Sequence, residues 1–144
     1  MNLFGMLELS GSALTAERQR AEIVASNMAN AKTTRTEEGG PYQRKLLLFR
    51  SHRLRAFPLM LASMGRNSGQ GVRVEQVVAD PTPAIRRYEP GHPDADAQGY
   101  VAYPAVNPVE EMTDLLGAVR AYELNASAIA ASKSMIQQSI EILR

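Results

Sequence analysis

Steps of three and four residues from Met112 onward land on Met112, Leu115, Val119, Tyr122, Ala126, Ile129, Lys133, Ile136, Ile140 and Leu143. Only Lys133 among these is polar. This heptad pattern marks a helix that must bury one stripe against another helix. The same stepping near the start gives Leu3, Leu7, Ser10, Leu14, Glu17, Ala21, Val24 and Met28, a weaker seam interrupted by Ser10 and Glu17. The pattern predicts helices over 1–31 and 108–144. Together they would form one helical domain, paired as a coiled coil.

The stretch 32–107 has a different rhythm. It holds most of the glycines and prolines, gathered in turn clusters such as Gly39-Gly40-Pro41, Pro81-Thr82-Pro83 and Pro90-Gly91-His92-Pro93. Between them, Tyr42–Phe49, Gly71–Val78 and Tyr100–Tyr103 read as strands, and Ile85–Tyr88 as a weaker fourth. A mobile loop is expected near 62–71. The expected fold is mainly α, with long terminal helices and an inserted β-rich or extended module.

The second helix has a well-defined start. Asn107 suits the N-cap, Pro108 the first helical position, and Glu110 can close a capping box. The first helix is expected to stop near Asn27–Asn30, where asparagine tolerates a left-handed backbone. Gly5 and Gly11 weaken its opening turns.

Composition narrows the function. Of 144 residues, 44% are hydrophobic and 22% charged, with a net charge of +1, so wholesale disorder is not expected. The absence of cysteine excludes disulfides, a thiolate nucleophile and cysteine-ligated metal. No apolar run is long enough to span a membrane, and the opening residues do not read as a secretory signal.

Candidate chemistry is sparse. His92, Asp94 and Asp96 have the residue types of a metal cluster, but an Asp–Pro turn accounts for them better. The basic stretch of Arg44, Lys45, Arg50, Arg53 and Arg55 lacks the stacking aromatics of a nucleic-acid site. A solvated face, or a contact to an acidic neighbouring subunit through Arg50, Arg53 and Arg55, fits it better. No nucleophile elbow, phosphate loop or metalloprotease helix occurs, so no catalytic, metal or cofactor residue is assigned. The seams favour assembly. Their spacing holds over more than four heptads, and Ala126, Ser127, Ala128, Ala130, Ala131, Ser132 and Ser134 give low-profile faces for several helices.

The stretch Ala25-Ser-Asn-Met-Ala-Asn-Ala31, with Thr33-Thr34, resembles the N-terminal motif of bacterial flagellar rod, hook and hook-associated axial proteins. Tyr88-Glu-Pro-Gly-His-Pro-Asp-Ala-Asp96, then Gly99-Tyr-Val101, resembles the proximal-rod branch of that family. So does Asn107-Pro-Val-Glu-Glu-Met112, leading through Arg120-Ala-Tyr122 to Ala131-Ser-Lys-Ser-Met135. The positions carrying the likeness are Asn27, Asn30, Thr34, Pro90, Gly91, His92, Pro93, Asp94, Asp96, Gly99, Asn107, Pro108 and Glu110. The resemblance implies a structural subunit of the periplasm-spanning rod, exported without a cleavable signal by the flagellar export apparatus. Its expected partners are copies of itself and other rod subunits, and its terminal helices would pair in an inner tubular layer that carries torque. A soluble helical adaptor or chaperone, or another secretion-system axial component, is the alternative.

Overall fold

The two helical seams and the turn-rich middle appear as six elements in a computed structural model that describes residues 3–53 and 70–142. They are α1 (Leu3–Ala29), β1 (Lys45–Arg53), β2 (Gln70–Ala79), β3 (Ile85–Tyr88), β4 (Tyr100–Tyr103) and α2 (Pro108–Ile142). β1 pairs with β2, and β3 with β4, in two small antiparallel sheets. The fold is mainly helical with a small β part. Most of the loop expected near 62–71 lies outside the described residues, and its last two positions fall in β2.

The chain divides into two units. One comprises Met1–Gln19, Phe49–Glu75 and Ala118–Arg144, the other Arg20–Leu48 and Gln76–Gly117. In the first, small residues form the interior: Ser10, Ala16, Ala118 and Ser132 are buried. The hydroxyl of Ser12 accepts a 3.2 Å hydrogen bond from the Val72 amide, tying α1 to β2, and donates to the Leu9 carbonyl at 2.7 Å.

In the second unit, Val24, Val101 and Val106 are buried, and so are the polar Asn27 and Glu111. Here α1 and α2 run antiparallel, since Asn27 bonds Glu111 while the earlier Arg20 bonds the later Asp114. The Asp80 amide donates to the Arg44 carbonyl at 2.7 Å, extending the β1–β2 pairing by one step. β3 and β4 pair from Ile85↔Tyr103 to Tyr88↔Tyr100.

α2 starts at Pro108, as its sequence specifies. Asn107 Oδ1 accepts from the Val109 amide at 3.1 Å, while Glu110 takes the Asn107 side-chain amide at 3.0 Å. Glu110 thus closes on the cap's side chain where the reciprocal box would use its backbone. β1 begins at Lys45, not Tyr42, because Tyr42 and Arg44 turn their side chains toward the helices.

The end of α1 also differs from expectation. Among the described residues only Gly39, Gly40 and Gly99 have positive φ, so no asparagine is left-handed there. Asn30 caps α1 with its side chain: Nδ2 donates to the Ser26 carbonyl at 2.9 Å, beside its own backbone amide at 3.1 Å. The Ser26 carbonyl thus accepts two donors, and the side chain folds back on the last turn without backbone strain.

Candidate functional site

The most constrained chemistry in the chain surrounds Asn27. Its side chain is 1% exposed, and every polar capacity of the amide is used. Nδ2 donates to the Lys45 carbonyl at 2.9 Å and to Glu111 Oε2 at 3.0 Å. Oδ1 accepts from the Lys45 amide and from the Tyr42 hydroxyl, both at 2.9 Å. Asn27 therefore joins α1, the approach to β1, and α2 through one side chain.

Glu111 is equally buried, and its second oxygen accepts from Arg44 Nε at 2.6 Å. Arg44 also lies 3.8 Å from carboxylate oxygens of Asp80 and Asp114, and Arg20 reaches Asp114 at 3.3 Å. A buried carboxylate needs both charge compensation and hydrogen bonds, and Glu111 has both. Two hydrogen bonds from Thr82, first from its hydroxyl and then from its amide, hold the Asp80 carboxyl below the usual carboxylate range, with Arg44 adding to them.

A second cluster organises the turn between β3 and β4. Asp94 Oδ2 accepts from the Thr34 hydroxyl at 2.7 Å, so the segment after α1 is clipped to this turn. His92 Nδ1 lies 4.0 Å from Asp94 but accepts the Asp94 backbone amide at 3.1 Å. The Asp94 amide meets the ring two residues back in the chain, the geometry of a turn. Asp96 Oδ1 accepts the amides of Tyr100 and Gln98, each at 2.9 Å. Chiefly the Tyr100 bond, with smaller help from Gln98 and Arg86, lowers its carboxyl. Tyr103 donates to Glu89 at 2.8 Å, which raises its hydroxyl. Gly99 has φ +83°, and a Cβ there would meet Tyr88 at 2.9 Å and Pro90 at 3.2 Å.

His92, Asp94 and Asp96 thus serve the turn. Among the described residues no group of three such side chains converges on a cation position. A cavity of about 290 Å³ is lined by Tyr42, Arg44, Asp80, Thr82, Pro83 and Ala105, and its charged groups already face each other.

The sequence seams are placed unevenly. In α1, Val24 is buried and Leu7, Leu14 and Met28 are half-buried. In α2, Leu115, Ile129 and Ile136 are half-buried, but Met112, Val119, Tyr122 and Ile140 are exposed. The stripe that α2 buries within the chain runs one residue earlier, through Glu111, Ala118 and Ser132 at heptad spacing, with Asn125 half-buried. Glu111 shifts it, because its pairing with Asn27 and Arg44 turns that face inward. The side chain of Leu3, and all of Leu143, lie outside what is described.

The outward face of α2 is consequently apolar. Val109, Met112 and Leu116 are 72%, 55% and 55% exposed, and their spacing of three and four sets them in one row. Of the three arginines expected to reach outside the chain, Arg50 pairs with Glu75 of its own hairpin at 2.6 Å. The Arg53 side chain and Arg55 lie outside the described residues.

Residues far apart in sequence thus meet in two clusters, Asn27 with Glu111 and Thr34 with Asp94. Sequence reasoning missed Glu111, Arg44, Tyr42, Asp80 and Asp114. The available signal was Glu111 itself, a carboxylate at heptad spacing from Ala118, Asn125 and Ser132.

Comparison with known proteins follows the same two ends. Residues 7–35 match the family described as flagella basal body rod protein, and residues 97–142 the C-terminal family of flagellar basal body rod FlgEFG proteins. Curated relatives are similar along their whole length. The flagellar basal-body rod protein FlgC of Borreliella burgdorferi is 39% identical, with 100% of this chain and 99% of the relative covered. That of Bacillus subtilis is 40% identical, with 99% of each covered. That of Salmonella typhimurium is 35% identical over 99% of this chain and 98% of its own length. With both helices matched and full-length likeness across distant bacteria, the chain belongs to the FlgC family of flagellar basal-body rod proteins.

Proposed function

We propose that this chain, a structural protein of the flagellar basal-body rod and not an enzyme, enters the proximal rod through its two terminal helices. In the rod those helices pack as coiled coils with neighbouring copies and other rod subunits, in a tubular layer that carries torque. The chain reaches that site through the flagellar export apparatus. No helix among the described residues is long and apolar enough to cross a membrane.

The observation that carries this reading is the exposed row of Val109, Met112 and Leu116. Three large apolar side chains left in water on a helix already packed on its other side indicate a further contact. Met112, Val119, Tyr122 and Ile140, the exposed members of the sequence seam, extend the candidate contact along α2. Arg50 is a weaker contributor, since Glu75 already neutralises it.

Leu116→Asp tests the proposal. The purified variant should keep the helicity of the parent, because more than half of Leu116 is exposed. In a flagellated strain it should be absent from isolated basal bodies, and motility should be lost. A motile strain with the variant in its basal bodies would remove this face from the assembly.

A further inference from the structure

β3 and β4 form a two-stranded sheet whose outer edges differ. At Tyr100 the edge of β4 is closed: the Tyr100 amide donates to Asp96 Oδ1 at 2.9 Å, and its carbonyl accepts the Asp96 amide at 2.8 Å. Both groups point away from β3, so Tyr88 and Tyr100 are opposed without exchanging backbone bonds. Such pairs alternate along an antiparallel ladder, and the Glu89 amide, bonded to the Gly99 carbonyl at 2.9 Å, keeps the same phase. On β3 the backbone groups of Ile85 and Arg87 therefore face β4, and the amides and carbonyls of Arg86 and Tyr88 face outward. Among the described residues no third strand joins this sheet and no other backbone group meets them.

The side chains at this open edge carry one sign of charge. All four residues of β3 are exposed. The Arg86 side chain is 70% exposed and lies 4.0 Å from Asp96, and Arg87 lies 5.1 Å from the centre of the Tyr103 ring. Tyr88 is 65% exposed and stands edge-on to Tyr100. Tyrosine and arginine are the residues on which interfaces most depend, and outward amides and carbonyls are a template for an added strand. A second copy of β3 fits poorly. The antiparallel two-fold registers within this strand set Arg86 against its own counterpart, or Arg87 against its own, and like charges directly opposite repel.

The geometry points to β3 as a strand-addition site for an extended segment of another protein that carries two adjacent carboxylates. Arg86 and Arg87 are neighbours, so the residues directly opposite them on an added strand are neighbours too. One carboxylate meets Arg86 on the Tyr88 side of the sheet, and the other meets Arg87 on the Tyr103 side. The main chain of the added strand takes the amides and carbonyls of Arg86 and Tyr88. Pro83 and Pro90 lack amide hydrogens and confine the addition to the stretch between them. This contact does not involve α2 and stands apart from the rod reading.

The test titrates the isotope-labelled full-length chain with the peptide acetyl-Thr-Val-Glu-Glu-Val-Thr-amide to millimolar concentration. The amide resonances of Arg86 and Tyr88 should shift saturably, and their exchange with solvent should slow. The same peptide with Lys-Lys in place of Glu-Glu should leave them unmoved. N-methylation of both glutamates keeps the charges but removes a main-chain donor, and should abolish binding. Arg86→Glu with Arg87→Glu should reverse the preference, so that the lysine peptide binds and the glutamate peptide does not. Still resonances at Arg86 and Tyr88 in the parent would overturn the inference, as would an equal response to the lysine peptide. Undiminished binding of the N-methylated peptide would reduce the contact to charge alone and overturn strand addition. Shifts at these amides on concentrating the chain without peptide would give the edge to a second copy, against the inference.

Discussion

The side-chain amide of Asn27 and the peptide of Lys45 exchange two hydrogen bonds, each 2.9 Å long. One donates and one accepts in each direction, as neighbouring residues of paired strands do. A helix thereby provides a single residue's worth of strand to the first residue of β1, and the sheet is anchored to α1 without a third strand.

Asn27→Ala would take their partner from the Lys45 backbone and from one oxygen of Glu111, and leave the Tyr42 hydroxyl only Ser26 at 3.5 Å. Each buried polar group left unpaired costs about 1–3 kcal/mol, so a loss of about 3 kcal/mol or more is expected in urea denaturation. Asn27→Asp should be at least as damaging at neutral pH. It keeps the acceptor but sets a second carboxylate against Glu111 and offers no donor to Lys45.

Gly99→Ala should destabilise the β3–β4 turn by about 1–3 kcal/mol, the usual cost of a forced backbone conformation. Its φ of +83° and the 2.9 Å approach to Tyr88 both oppose a methyl group. Gly91→Ala in the same turn is the control: its φ is ordinary and nothing lies within 4 Å of the added carbon. Thermal melts of the two variants should separate clearly.

The turn should also respond to acid. The Asp96 carboxyl is held below the ordinary carboxylate range, first by the Tyr100 amide. A depressed folded value means that the charged form stabilises the turn above the unfolded value, and that this contribution disappears as pH falls through the lower folded one. The amide resonances of Tyr100 and Gln98 should therefore move together below about pH 4. Asp96→Asn should abolish that titration. If the resonances hold still in the parent, the carboxylate is not their partner.

Asn107→Ala removes the N-cap that accepts the Val109 amide. The expected cost is about 1 kcal/mol, and amide exchange should speed up most in the first turn of α2.

This helix start was legible in the sequence because everything it needs lies within four residues: Asn107, Pro108, Glu110 and the following apolar spacing. β3 and β4 were legible for a similar reason, their pairing closed by one local turn. The buried stripe of α2 was not. Period alone favoured Met112 over Glu111, since a carboxylate reads as solvated until its partners are known. Those partners, Asn27 and Arg44, lie 84 and 67 residues away. Arg44 was misread by the same omission: a basic stretch looked external, although its first member compensates a buried charge. Asn30 shows a third kind of difference: its side chain bonds back to Ser26 with no positive φ, and sequence does not distinguish that from a left-handed end.

The full occupancy of the Asn27 amide has a consequence for how such a chain changes over generations. Its four hydrogen bonds end on Tyr42, Lys45 and Glu111, in three separate stretches of the polypeptide. A replacement at position 27 is therefore a simultaneous injury at three sites, and no single second substitution repairs it. The viable routes around it need several coordinated steps. The side chains of Val109 and Leu116, mostly exposed, answer chiefly to whatever neighbour they meet. Drift in this protein is thus partitioned by bookkeeping of bonds: the inner polar knot is held by its own molecule, and the outer face is free to follow the partners.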